Sequence, residues 1–351
     1  MPRSGKSGGE KPSKSPNAPH SPKEARAAKG TGWYPPRVIL APADRSEVSK
    51  IALVHAAAFA RAFDARLRVL HVAELPPVLP VPEDGSGAVI TEGWLPYDVL
   101  REQAEAEVAR IIASIPELAE LSPEAVVRTG VPADEILLEI EEAGCDMAVL
   151  ATHGRSRLTR FLLGSVAEKV TLSAPCPVLS IRPGTPAASE KTAAKGKPAG
   201  RAPVARPRRI LVPTDLSETS FGALAPAVAI AERFDGEVSL LAVLEDPLDH
   251  PEIDWKERAG ITAEEMKSRM AEATRSELRA RVEELGLAAR VNRLEVGFGR
   301  PAATLVERAE AEGVELIVIA SRGRGAVSRA ILGSVARDVV RHASCPVLTI
   351  R

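Results

Sequence analysis

Residues 151–154 read Ala151-Thr152-His153-Gly154, and nine residues after Gly154 comes Gly164-Ser165-Val166-Ala167. The arrangement returns as Ala320-Ser321-Arg322-Gly323 and, after nine residues, Gly333-Ser334-Val335-Ala336. An apolar run precedes each copy, Met147 to Leu150 and Leu316 to Ile319, and Cys-Pro-Val-Leu follows each, at Cys176 to Leu179 and Cys345 to Leu348. At an offset of 169, 13 of the 21 residues from Leu162 to Arg182 match the second copy. Such self-similarity marks an internal duplication, so one reading serves both halves.

Each apolar run reads as a buried strand that ends in a glycine loop. Gly154 or Gly323 can take φ > 0 there and let a ligand approach the backbone. The Gly-Ser pair then opens a helix, with Ser165 or Ser334 placed to cap it. The N–H groups and dipole at such an end attract phosphate. A Gly-Ser pair also starts helices that bind nothing, and the second copy adds no independent weight.

The rest of each half repeats in the same order. Strands are expected at Arg37 to Leu40, Leu67 to Val72, Ala125 to Arg128, Asp146 to Ala151 and Pro177 to Ile181. Their counterparts are Arg209 to Val212, Val238 to Val243, Val291 to Val296, Leu316 to Ala320 and a fifth strand ending at Arg351. Ser46 and Ser217 read as N-caps of the first helix in each half. Pro226 falls inside the second of these helices and predicts a kink. Further helices are expected over Asp98 to Ile115 and Thr262 to Leu285, and from Gly-x-Pro at Gly130 to Pro132 and Gly299 to Pro301. Long loops at 76–97, with Trp94 and Tyr97, and at 246–261, with Trp255, separate strand two from the next helix.

Alternating strands and helices predict an α/β fold, here two tandem open parallel five-stranded sheets flanked by helices. Ligands in such sheets bind beyond the carboxyl ends of the strands. Asp44 and Asp215, in Pro-x-Asp-x-Ser after strand one, therefore face the same crevice as the glycine loop.

The 351 residues are 45% hydrophobic but only 3% aromatic, so the cores are built from Ala, Val, Leu and Ile. The three cysteines form no CxxC pair, which argues against a zinc site or a disulfide framework. No apolar run is long enough to span a membrane, and the expectation is a soluble, reduced, cytoplasmic protein. Residues 1–35 carry +5 and residues 183–207 carry +4 of a total of −1, leaving −10 on the remainder. Rich in Pro, Gly, Ser and Ala, these two segments read as a disordered basic tail and a flexible basic linker rather than as nucleic-acid-binding arms. The tripeptide Gly5-Lys6-Ser7 lacks the earlier glycine and the strand of a P-loop.

These motifs resemble those of the universal stress protein A family, twice in tandem, over 36–182 and 208–351. Pro-x-Asp-x-Ser, Gly-x-Pro, the glycine loop and Cys-Pro-Val-Leu stand in family order in both halves. The resemblance implies a Rossmann-like, adenine nucleotide alpha hydrolase-like fold and, in a subset, adenine nucleotide binding. It implies pairing through strand five, which would join the two halves as a pseudo-dimer; further homo-oligomers stay open. By the same resemblance, Asp44 and Asp215 would contact adenosine, and the backbones of Val72 and Val243 the adenine edge. Gly154, Gly164 and Ser165, and Gly323, Gly333 and Ser334, would hold phosphates. Ala151 and Ala320 stand where the motif has its first glycine. Arg155, Arg157 and Arg160, and Arg322, Arg324 and Arg329, suit polyphosphate as well as a solvated loop.

The implied ligand is ATP, or ADP or AMP, with or without magnesium, and no structural metal is expected. The function expected is a nucleotide-binding stress or regulatory protein. The alternatives are an interaction module with empty pockets and a weak ATPase. No paired carboxylates or Ser/His/Asp set stands out, and His153 is the lone acid/base candidate, so a dedicated enzyme is not expected.

Overall fold

The computed structural model describes residues 35–74, 97–152, 163–182, 206–249, 253, 255–323 and 332–351. The elements of the first half are β1 (Val38–Pro42), α1 (Glu47–Phe63), β2 (Arg66–Ala73), α2 (Tyr97–Ser114), α3 (Pro116–Ala119), β3 (Glu124–Thr129), α4 (Pro132–Glu142), β4 (Met147–Ala151), α5 (Ser165–Ser173) and β5 (Val178–Ile181). Those of the second are β6 (Arg209–Thr214), α6 (Glu218–Phe221), α7 (Leu224–Phe234), β7 (Glu237–Leu244), α8 (Trp255–Ala259), α9 (Ala263–Glu284), β8 (Arg293–Phe298), α10 (Pro301–Ala311), β9 (Leu316–Ala320), α11 (Ser334–His342) and β10 (Val347–Ile350).

The strands form one ten-stranded sheet in the order β3-β2-β1-β4-β5-β10-β9-β6-β7-β8. Two tandem sheets were the expectation; they join because the outer edges of β5 and β10 satisfy each other. That pair is antiparallel, with Val347 opposite Ser180, Leu348 opposite Leu179 and Thr349 opposite Val178. Within each half every pair is parallel. An edge strand left open is a template for unwanted pairing, and here each half closes the other's edge.

Parallel strands are buried on both faces, so alternate residues feed two cores. Ile39, Ala41, Val149, Leu179 and Ile181 join the core under α1, α2, α7 and α9, while Leu40, Ala148, Leu150 and Val178 pack under α4 and α5. The first of these cores runs unbroken from one half into the other. At the seam the rings of Phe59 in α1 and Phe234 in α7 stand 5.3 Å apart.

Local chemistry sets the helix ends. The Ser46 and Ser217 side chains accept from the N–H groups of Ser49 and Ser220. Thr262 and Glu265 form a reciprocal capping box at the start of α9. Pro132 and Pro301 occupy first-turn positions of α4 and α10. The expected kink at Pro226 is a full break between α6 and α7. Pro226 has no N–H to give Gly222, four residues earlier, and its ring crowds that carbonyl.

Strand three of the second half starts at Arg293 rather than at the expected Val291. Residues 288–290 form a 3-10 turn, and Asn292 Oδ1 accepts from Val238 N–H at 2.8 Å. The short helix α3 was not expected; Pro116 at its start explains it. The basic tail, most of the linker and the loop at 76–96 lie outside the described residues.

Candidate functional site

The strand order reverses at β1 in the first half and at β6 in the second, and the candidate sites lie at the carboxyl ends of those strands. Asp44 Oδ1 accepts from Ser46 N–H at 2.8 Å, and Asp44 N–H donates to Ser49 Oγ at 3.0 Å. In the second half Asp215 Oδ1 accepts from Ser217 N–H at 3.1 Å and from Ser217 Oγ at 2.5 Å. The Pro-x-Asp-x-Ser pattern is thus a local device. The serine caps the helix, and its N–H fixes the aspartate at the strand end.

The glycine loop meets the aspartate directly in the second half. A Cβ placed on Gly323 would lie 2.4 Å from Asp215 Oδ2. Gly323 is not among the glycines with positive φ, so its freedom to turn left-handed is not what position 323 requires. The requirement is space for the carboxylate, which corrects the sequence expectation. The left-handed residue of this site is Leu216, at φ 67°, which turns the chain from β6 toward α6. A branched side chain is strained there.

The second glycine of the motif also departs from expectation. Gly164 and Gly333 are themselves the N-caps of α5 and α11, with no side-chain cap, so Ser165 and Ser334 are the first helical residues rather than caps. The Gly164 N–H donates to Thr152 O at 2.7 Å and the Gly333 N–H to Ser321 O at 2.8 Å. Each glycine loop is thereby closed at its neck. A Cβ on Gly333 would meet nothing nearer than Ser321 O at 3.5 Å, an ordinary contact.

The strand-two valines are aimed by the ladder. The Ala73 carbonyl accepts from Gly130 N–H on the β3 side, so the adjacent Val72 turns its N–H and C=O toward β1, beyond Pro42. Leu244 O likewise accepts from Gly299 N–H, which turns the Val243 backbone toward the end of β6. Ala320 is 7% exposed and sits in the main core, and Ala151 packs against the same core. Their methyls are taken up by packing. Gly154, Arg155, Arg157, Arg160, His153, Arg324 and Arg329 lie outside the described residues.

Sequence reasoning missed a charged wall in the first half. Arg45 makes a bidentate pair with Glu107 of α2 at 2.8 and 2.9 Å, and the Arg45 bond holds the Glu107 carboxyl below its usual range. His71 Nδ1 lies 2.9 Å from Ala43 O. No local pattern in its helix marks Glu107, and only the tertiary fold brings it to the end of β1. Cys345 is buried, and burial pushes its thiol up to about 12, which fits a packing role and not a nucleophile.

Residues 36–182 and 207–351 each match the universal stress protein family model. The chain belongs to the universal stress protein family. A universal stress protein of Methanocaldococcus jannaschii is 35% identical over 144 residues, covering 41% of this chain and 81% of that protein. One of Mycobacterium bovis is 30% identical over 230 residues, covering 65% of this chain and 68% of that one. A universal stress protein structure from Archaeoglobus fulgidus shares the fold with TM-score 0.58 and 21% identity, covering 90% of this chain and 98% of that chain. Among the described residues no helix is long and apolar enough to cross a membrane, and no cluster of His, Cys, Asp and Glu could hold a metal.

Proposed function

We propose that this universal stress protein is a cytoplasmic stress or regulatory protein that binds adenine nucleotide, one molecule in each half. The carrying observation is the meeting of Asp215 with Gly323, which joins the strand-one aspartate and the glycine loop in one crevice. The aspartate offers acceptors for ribose hydroxyls, and the outward-turned backbone of Val243 offers a donor and an acceptor for a base edge. The N-terminus of α11 supplies N–H groups and a positive dipole end for phosphate. Asp44, Val72 and α5 offer the same set in the first half. Packing of the Ala151 and Ala320 methyls favours this over the reading of blocked, empty pockets.

Binding, not turnover, is the proposed activity. At the first site the second carboxylate, Glu107, is tied up in its bidentate pair with Arg45, so among the described residues Asp44 has no free acid/base partner beside it. ATP is the proposed ligand, with ADP or AMP as competitors for the same site. The test is to denature freshly purified full-length protein, identify released nucleotide by mass, and titrate stripped protein with ATP. A Kd in the micromolar range, roughly −7 to −9 kcal/mol, is expected. No released nucleotide and no heat at millimolar ATP would refute the proposal.

A further inference from the structure

A closed ring of hydrogen bonds joins the two candidate sites and crosses the seam twice. At the second site, the Ile350 carbonyl accepts from Ser321 N–H at 2.7 Å. The next residue, Arg351, reaches into the first half, where Nη2 donates to Thr171 O at 2.6 Å in the last turn of α5. At the other end of α5, the Gly164 N–H donates to Thr152 O at 2.7 Å, and the Thr152 N–H donates to Ile181 O at 2.8 Å. The residue after Ile181, Arg182, reaches back across the seam. Its Nη1 donates to Arg341 O and, at 3.4 Å, to Ala343 O, at the C-terminal end of α11. The Gly333 N–H at the start of α11 returns to Ser321 O at 2.8 Å, and the ring closes. Arg341 adds a direct bridge from α11 to Glu168 of α5 at 2.7 Å.

Each of these two helices therefore has its ends at different sites. The N-terminus of α5 stands at the first site, and the Thr171 carbonyl of its last turn is held by Arg351, next to the glycine loop of the second. The reverse holds for α11. The last carbonyls of a helix lack intrahelical donors, and a cation there complements the negative dipole end. The arginines supply both, each from the opposite half. Arg351 also stands close enough to Arg322 to feel its charge, which after burial is the next cause depressing the Arg351 guanidinium.

We propose that the two sites are positively coupled through these crossed arginines, so that filling one raises the affinity of the other. The inference rests on the nucleotide reading of both sites. An anion that orders the start of the second glycine loop fixes Ser321, whose N–H holds the Ile350 carbonyl next to Arg351. Arg351 then grips the end of α5 more strongly. A helix already held at its C-terminal end costs less to order when phosphate arrives at its N-terminal end. Arg182 and α11 carry the effect the other way, as linkage requires.

The test uses the full-length protein and ATP as the probe. Calorimetric titration of the wild type should resolve two sites, the second filled about 5-fold more tightly than the first after statistical correction. In Arg351→Gln both sites should still fill, with that ratio reduced toward one. Equal, independent sites in the wild type, or an unchanged ratio in the variant, would overturn the coupling. One ATP bound per chain would overturn the coupling and the nucleotide reading of one half while leaving that of the other standing, whereas none bound would overturn the reading of both halves. Should Arg351→Gln fail to fold, Asp44→Ala gives a second measurement, since ATP then enters the second site alone. ATP must slow amide exchange in residues 170–173 of α5, at the far end of the empty half's helix. Unchanged exchange there sinks the proposal.

Discussion

The Asp215 carboxylate occupies the space a side chain at position 323 would need: a Cβ there falls 2.4 Å from Oδ2. Gly323→Val must therefore move Asp215, breaking the bonds from Ser217 N–H and Oγ at a cost of about 1 kcal/mol each. The expected outcome is loss of ATP binding at the second site in a protein that still folds. A double-mutant cycle checks the cause. In an Asp215→Ala background the valine should cost clearly less stability in urea melts, and equal costs would show that the clash lies elsewhere.

Gly333 makes the opposite case. A methyl there meets only ordinary contacts. Gly333→Ala should change stability by less than about 0.5 kcal/mol, so any fall in ATP affinity reports on the ligand and not on the fold. Titration and thermal melts on one preparation separate the two effects.

Glu139 carries the strongest stability prediction. It is 3% exposed and takes Arg68 Nε on one oxygen at 2.9 Å and Arg128 Nε on the other at 2.7 Å. Glu139→Ala leaves both guanidiniums without their shared carboxylate, although Arg68 keeps Glu124, and Arg128 keeps Glu142 and, at 3.5 Å, Glu135. A loss of about 3 kcal/mol is expected by urea denaturation, against under about 0.5 kcal/mol for the exposed pair Glu47–Lys50.

His55 sets a pH dependence. It is 6% exposed in α1, with Nδ1 2.9 Å from Ile51 O, and burial lowers its pKa. The unfolded chain thus binds the proton at a higher pH than the folded one. Its contribution is complete above about pH 6.5 and is lost as the pH falls below that, at up to about 1.4 kcal/mol per unit. Urea midpoints at pH 7.5 and 5.5 should differ less in His55→Gln than in the wild type.

Much of this was legible in the sequence because local rules and the duplication agree. Ser46, Ser217, Thr262 and Pro132 announce their helices by capping chemistry. The apolar runs at 147–150 and 316–319 announce buried strands. Illegible were the features that depend on distant partners. Nothing beside Arg45 indicates that Glu107 will meet it, and no pattern at Leu216 signals a left-handed turn. Gly323 was legible as a glycine but not as one that makes room for Asp215, since that contact spans 108 residues of chain. The crossed arginines stand out as a repeated Arg182 and Arg351, yet their partners lie in the opposite half.

The antiparallel seam makes the order of the two halves along the chain immaterial to the sheet. Because β5 and β10 run in opposite directions, the end of β5 and the start of β6 lie on the same edge, three strand spacings or about 14 Å apart. The end of β10 and the start of β1 lie on the other edge at the same separation. A circular permutant that places 208–351 ahead of 36–182, joined by a spacer of about ten residues, should rebuild the same ten strands. The same geometry turns the two candidate crevices away from each other, so a partner that senses both must grip opposite rims of the molecule.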